Sequence, residues 1–262
     1  MCGRYELHSH PAAIALAFGL AYPPEITARF NIAPTQQVPI VRLNAEGERE
    51  LVQVRWGLVP RWAKDPSIGV KMINARAETV ATRSAYSTAF RRHRCLLPAD
   101  GFYEWTTRAD GTKQPLRVGM KDGSVFGLAG LHERWLSPDG EPLDTCTIVT
   151  TEANSLLRAV HTRMPVIVPP EAYEAWLDPA SEDVAHLLAS FDSRSMTYWP
   201  VSPRVNNVRN DDSALIAPVA ANDDAPAETP VQAELPVQAE LPVGVGDDEL
   251  ETEAAPKQTQ LF

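Results

Sequence analysis

Short apolar runs cut by Gly, Pro and Asn dominate the chain, and their spacing is mostly that of strands. Residues 37–43 read as one strand and residues 50–56, which alternate with period two, as the next. Asn44-Ala45-Glu46-Gly47 makes a hairpin-like connection between them. Residues 95–99 read as a buried strand that residues 101–105 continue. Residues 116–120 and 125–131 flank the turn Lys121-Asp122-Gly123-Ser124, and residues 145–151 form a further strand. Helical spacing is brief. It covers residues 11–21, opened by Pro11 and loosened by Gly19, and a stretch leading to Phe90-Arg91-Arg92-His93-Arg94. It returns in residues 153–160, a helix or helical turn ending at His161, and from Pro170 and Glu171 to Leu177. Phe30-Asn31-Ile32-Ala33-Pro34 reads as turn-like, and the folded region closes near Val219.

From Ala220 this patterning stops. Residues 220–262 are rich in Pro, Ala, Glu and Asp and hold no aromatic residue before Phe262, so they are expected to be disordered. Their tandem hexapeptide, Pro-Val-Gln-Ala-Glu-Leu from Pro230 and again from Pro236, reads as linker, since two copies bury nothing. The expected organisation is one domain over residues 1–219 and a tail over 220–262. The tail also changes the meaning of the net charge of −10. Ten of the 34 acids and one of the 24 bases lie in it, so the tail carries −9 and the rest −1. A nearly neutral, arginine-rich body is compatible with nucleic-acid binding.

At 262 residues the chain can bury a substantial core. No apolar run is long enough to span a bilayer, and no basic stretch followed by an apolar one opens the chain. A cytoplasmic protein with no membrane association is expected. Cys2, Cys95 and Cys146 are far apart and lack paired spacing, which argues against a disulfide framework and a structural zinc site. Neither a metal nor another cofactor is expected.

The chemistry concentrates at the start, Met1-Cys2-Gly3-Arg4-Tyr5. Met before a small residue is commonly trimmed, which would leave Cys2 with a free α-amine and a thiol on one carbon. Their ordinary pKa values, about 8 and about 8.5, leave both with reactive fractions at neutral pH. Such a 1,2-aminothiol condenses with an aldehyde to an imine, and the thiol then closes a thiazolidine ring. The plainer reading is a small residue at a frayed end. Glu104, among aromatics in Gly101-Phe102-Tyr103-Glu104-Trp105, either faces solvent or is buried with a raised pKa suited to proton transfer. His161 is a candidate acid or base or a structural histidine. Trp62, in a loop broken by Gly57 and Pro60, either stacks on a base or caps the core.

Seven segments in one order make the chain resemble the SOS-response-associated peptidase family, also called abasic-site processing proteins. Four are Met1 to Tyr5, Phe30 to Pro34, Trp56-Gly57-Leu58-Val59-Pro60 and Ile73-Asn74-Ala75-Arg76-Ala77-Glu78-Thr79. The others are Gly101 to Trp105, Ile148-Val149-Thr150-Thr151-Glu152-Ala153-Asn154 and His161-Thr162-Arg163-Met164-Pro165. The resemblance implies an α+β single domain with a bent, barrel-like, mostly antiparallel β core, peripheral helices and a positively charged groove. It implies covalent capture of abasic sites in single-stranded DNA, with Cys2, Asn74, Glu104 and His161 as the catalytic set. It places Arg4, Trp62, Arg76 and Arg163 at the DNA. One departure, a longer-looking loop at residues 63–71, leaves the posture of Trp62 open.

Two other classes compete with that expectation. In a cysteine peptidase, Cys2 would attack amides with His161 as base. In a non-catalytic reader of modified bases, Cys2 would be structural. The tail carries a separate signal: Gln258-Thr259-Gln260-Leu261-Phe262 looks like the Gln-x-x-Leu-Phe peptides that dock on the bacterial DNA-polymerase sliding clamp. Gln258, Leu261 and Phe262 are its candidate anchors.

Overall fold

The computed structural model describes residues 2–219. Met1, the tail expected to be disordered and the clamp-peptide candidates Gln258, Leu261 and Phe262 lie outside the described residues. In chain order the first strands are β1 (Tyr5–Leu7), β2 (Arg29–Ile32), β3 (Gln37–Leu43), β4 (Arg49–Trp56), β5 (Asn74–Arg76), β6 (Arg94–Ala99) and β7 (Gly101–Thr107). They are followed by β8 (Lys113–Met120), β9 (Phe126–Leu136), β10 (Pro142–Glu152), β11 (Arg163–Pro165), β12 (Ile167–Val168) and β13 (Met196–Pro200). The helices are short: α1 (Pro11–Phe18), α2 (Ala77–Val80), α3 (Ser87–Arg92) and α4 (Tyr173–Leu177).

Five strands close into a ring. β3 pairs with β4 and β6, β6 with β9, β9 with β10, and β10 returns to β4. Closure removes the open edges that a five-stranded sheet would otherwise present. All these pairings are antiparallel except β4 with β10, where Arg55 lies opposite Thr145 and Trp56 opposite Cys146. A second, wholly antiparallel sheet runs β13-β8-β7-β1-β2. Tyr5 from that sheet meets Trp56 of the ring edge-on, with ring centroids 5.4 Å apart, and both are fully buried. The architecture is the α+β, mostly antiparallel barrel core that the resemblance implied.

β10 positions the site by changing neighbours along its length. Its first half pairs with β9 up to Ile148 opposite Gly130. Beyond that point β9 diverges and β11 takes its place, with Thr150 opposite Pro165 and Glu152 opposite Arg163. On the other side β5 succeeds β4, with Ile148 opposite Asn74 and Thr150 opposite Arg76. The far half of β10 therefore carries Asn74 on one flank and the segment after His161 on the other.

Several elements depart from the sequence reading, each for a physical reason. β6 does not simply continue into β7. Asp100 bends the chain into the other sheet, its carboxylate accepting hydrogen bonds from the Ser9 (2.8 Å) and His8 (2.5 Å) amides. The turn at residues 121–124 likewise joins strands of different sheets rather than a hairpin. The helix expected over residues 11–21 stops at Phe18, because Gly19 adopts φ 63° and its N–H turns back to Ala15 and Leu16. Residues 153–160 make only turns: the Asn154 side chain accepts from the Leu157 amide (3.1 Å) and donates to the Phe191 carbonyl (2.8 Å). The turn-like reading of residues 30–34 gives way to β2 over its first part, which pairs with β1. Among the described residues no helix is long and apolar enough to cross a membrane.

Candidate active site

Cys2 sits just before β1 and is fully buried. The Asn74 side-chain amide donates to the Cys2 carbonyl at 2.8 Å, so β5 grips the chain at Cys2. Asn74 is held in turn by Tyr86, whose hydroxyl donates to the Asn74 carbonyl at 3.3 Å. The other amide atom, Asn74 Oδ1, is buried and has no hydrogen-bond partner among the described residues. A carboxamide in this posture offers an acceptor beside Cys2 and does not titrate.

Glu104 reaches the same place from β7. Strand alternation turns Phe102 and Glu104 to one face and Tyr103 to the other, where its hydroxyl lies 2.9 Å from Glu6 Oε2 and 2.7 Å from the Phe30 carbonyl. Glu104 is only 4% exposed. Burial raises its carboxyl pKa, and the nearby His161 acts in the opposite sense. The Cys2 thiol is pushed up to about 12, first by burial and then by the charge of Glu104. One buried carboxyl is thus the electrostatic neighbour of both Cys2 and His161. His161 is half-buried, and its Nδ1 accepts from the Arg163 amide at 2.9 Å. An amide N–H can only donate, so in the neutral ring the proton sits on Nε2.

The four candidate DNA contacts divide by the partners they already hold. Trp62 is 60% exposed, and its posture is set by its surroundings. On one side Arg61 pairs with Glu133 at 2.6 Å; on the other the Trp135 indole donates to the Ala63 carbonyl at 2.7 Å. The following residues form a 3-10 turn at Pro66–Lys71, which is N-capped by Asp65. Gly57, at φ 130°, lies against Gly69 so closely that a Cβ would stand 2.6 Å from the Gly69 carbonyl oxygen. Arg76 is exposed and forms no ion pair among the described residues. Arg4 donates through Nη1 to Asn31 Oδ1 (2.6 Å) and the Val205 carbonyl (2.7 Å), and lies over the Trp105 ring. Arg163 is engaged with Glu78 and with the Thr150 carbonyl. Among the described residues, no three His, Cys, Asp or Glu side chains gather as metal ligands.

Tyr86, Thr150 and Glu78 belong to the site's frame and were not among the candidates read from the sequence. Glu78 stands inside the Ile73 to Thr79 segment, and its spacing from Asn74 was visible there. Its partner lies 85 residues away, which no local pattern reports.

The model of the SOS response associated peptidase family matches residues 1–208. The abasic site processing protein YoqW of Bacillus subtilis is 40% identical over 222 residues, covering 82% of this chain and 99% of that protein. YedK of Escherichia coli, of the same description, is 30% identical over 229 residues, covering 84% of this chain and all of that protein. HMCES of Gallus gallus, also named an abasic site processing protein, is 35% identical over 222 residues, covering 72% of this chain and 66% of that protein. A crystal structure of a protein from Bacteroides thetaiotaomicron superposes with a TM-score of 0.74 at 25% identity, covering 84% of this chain and all of that one.

Proposed function

The chain belongs to the SOS response associated peptidase family, and on that footing we propose that it processes abasic sites in single-stranded DNA by capturing them covalently through Cys2. The observation that carries this reading is the convergence on Cys2: Asn74 holds its carbonyl at 2.8 Å, while buried Glu104 neighbours both its thiol and His161.

In this mechanism Met1 is removed, which frees the Cys2 amine. An abasic deoxyribose exchanges between a ring-closed hemiacetal and an open aldehyde, and Glu104 moves the proton that opens the ring. The Cys2 amine adds to the aldehyde carbon and water leaves, forming an imine. His161, with a proton on Nε2, serves the departing oxygen. The Cys2 sulfur then bonds to the imine carbon and its proton passes to the nitrogen. The product is a thiazolidine, and the net loss is one water. In this reading the buried Asn74 Oδ1, which has no hydrogen-bond partner among the described residues, accepts from the free amine. An unclosed imine also permits β-elimination, so a minor strand-cleaving branch accompanies capture.

Trp62 supplies a stacking face and Arg76 a phosphate contact, the usual combination for unpaired strands. Arg4 and Arg163 reach phosphate only by sharing or exchanging the partners they now hold. The tail anchors Gln258, Leu261 and Phe262 are proposed to dock on the sliding clamp, which would concentrate the protein at replication forks in the cytoplasm. Anisotropy titration of a labelled peptide of residues 250–262 against purified clamp tests this, and no binding at tens of micromolar removes it.

The peptidase alternative needs a thiolate, and the raised Cys2 thiol works against one. The decisive assay incubates the protein with an abasic single-stranded oligonucleotide. A denaturation-resistant adduct that is absent in Cys2→Ala supports capture. No adduct from a Met1-free protein, confirmed by intact mass, refutes it.

A further inference from the structure

We infer that Asn154 is a positioning residue for capture: its carboxamide fixes the loop between β10 and β11 and, through Leu157, the place of His161. This inference rests on the reading that the site captures abasic sugars.

The need for such a residue follows from the connection itself. β10 and β11 are antiparallel neighbours, yet residues 153–162 run between them without forming a helix or a strand. The Ala153 amide closes the neck of this loop by donating to the Thr162 carbonyl at 3.0 Å, and His161 stands on the returning limb just inside. No ladder satisfies the backbone groups of such a loop, so other partners must. Asn154 is only 7% exposed, and both ends of its carboxamide are engaged. Inward to the loop, Oδ1 accepts from the Leu157 amide at 3.1 Å, and the Asn154 main-chain carbonyl accepts from the Arg158 amide at 3.0 Å. Outward, Nδ2 donates to the Phe191 carbonyl at 2.8 Å and to the Met196 sulfur at 3.4 Å. The Asn154 main-chain N–H donates to the Met164 sulfur at 3.4 Å. One residue thus ties the loop to β11 and to β13 of the second sheet.

Leu157 transmits this hold to His161. Its side chain is buried in the core, and its carbonyl accepts from the Val160 and His161 amides, both at 2.9 Å. Asn154 therefore fixes the amide of Leu157, and the carbonyl of Leu157 fixes the amide of His161. The imidazole orients itself separately, through the Nδ1 bond to the Arg163 amide. What the relay sets is the backbone from which that ring projects. Thioether sulfurs are weak acceptors, so the hold depends chiefly on Oδ1 and on the bond to Phe191. Asn154 touches none of the reacting atoms. It matters to the chemistry because a displacement of about 1 Å at a reacting group can cost about a hundredfold in rate.

The test uses the full chain and single-turnover capture of an abasic oligonucleotide over a range of DNA concentrations. Asn154→Ala is expected to lower the rate at saturating DNA on the order of tenfold, with the half-saturating concentration unchanged. Asn154→Asp keeps an oxygen for the Leu157 amide and should recover part of the rate. The same substitution in a His161→Ala background should add little, because Asn154 acts through a residue that is no longer there. Ser155→Ala removes the neighbouring hydrogen bond to Ser193 without touching Leu157, and should capture at the wild-type rate. If Asn154→Ala does not fold, Asn154→Asp carries the same cycle, since it forfeits the donor to Phe191. Wild-type rates in a folded Asn154→Ala overturn the proposal. Equal slowing with and without His161 overturns it too, because it would mean that Asn154 serves the fold and not the histidine. Slowing by Ser155→Ala to the same degree would assign the effect to the loop at large and overturn it as well. If the wild-type protein forms no adduct, the capture reading fails and takes this role with it; a wild-type adduct with equal rates in the variants sinks the positioning role alone.

Discussion

Asn74→Ala offers the sharpest test of how the amine of Cys2 is held. Suppose a bulky residue is inserted between Met1 and Cys2, so that Met1 stays and no free cysteine amine exists. The substitution then removes one hydrogen bond, from Nδ2 to the Cys2 carbonyl. A neutral bond of this kind is worth about 0.5–1.5 kcal/mol. The same change also removes the buried, partnerless Oδ1, whose desolvation costs about 1–3 kcal/mol. The two effects oppose each other, and the net change should lie between about 0.5 kcal/mol of destabilisation and about 2.5 kcal/mol of stabilisation. In the Met1-free chain the α-ammonium supplies Oδ1 with a charge-assisted bond worth about 1.5–3 kcal/mol, which the substitution now forfeits. Urea denaturation of the four proteins forms a cycle, and its coupling energy should be the sum of the lost charge-assisted bond and the relieved Oδ1, about 2.5–6 kcal/mol. A coupling below about 0.5 kcal/mol would mean that Asn74 does not hold the amine, and the orientation step would have to be reassigned.

Four further outcomes are expected. Glu104→Gln removes a charge that raises the Cys2 thiol, so alkylation of Cys2 at a fixed pH should quicken while abasic-site capture slows; unchanged alkylation contradicts the placement of Glu104. Trp62→Ala should leave the urea midpoint nearly unmoved and weaken single-strand binding by about 1–3 kcal/mol, read by anisotropy, with Trp62→Phe in between. Arg117→Met strands the fully buried Glu6 carboxylate, now 2.6 Å from Arg117 Nε, and should cost about 3–5 kcal/mol in urea denaturation. His8 is raised by Glu6 and, less strongly, by Asp100, so its stabilisation is complete below its unfolded pKa of about 6.5 and fades as pH rises through the higher folded value. His8→Asn should therefore flatten the fall of Tm across that window.

Residues with local signals were legible in the sequence. The strand at Gln37–Leu43 was read with its bounds intact, and the second strand of that hairpin differed by one residue. The convergence of Cys2, Asn74, Glu104 and His161 was reached only through the resemblance, because the four lie on segments scattered over 160 residues. What stayed hidden was pairing across distance. Nothing in residues 145–151 announces a parallel partner in β4, and three-residue strands such as β1 are too short for a period to show. The resemblance alone put Arg4 and Arg163 at the DNA; the contacts that both guanidinium groups make with carbonyls and side chains inside the fold carried no sequence signal. Burial of an arginine depends on who meets it, and that is a tertiary fact.

The burial of Cys2 bears on its chemical lifetime at rest. With burial pushing the thiol up to about 12, thiolate is scarce at neutral pH. Peroxides and disulfides react with thiolates, so the resting protein is guarded against sulfenylation and mixed-disulfide formation without help from a resolving cysteine. An aminothiol left in solution is used up by whatever electrophile arrives first. If Met1 is removed as proposed, burial beside Asn74 and Glu104 would keep the Cys2 aminothiol from being consumed in that way.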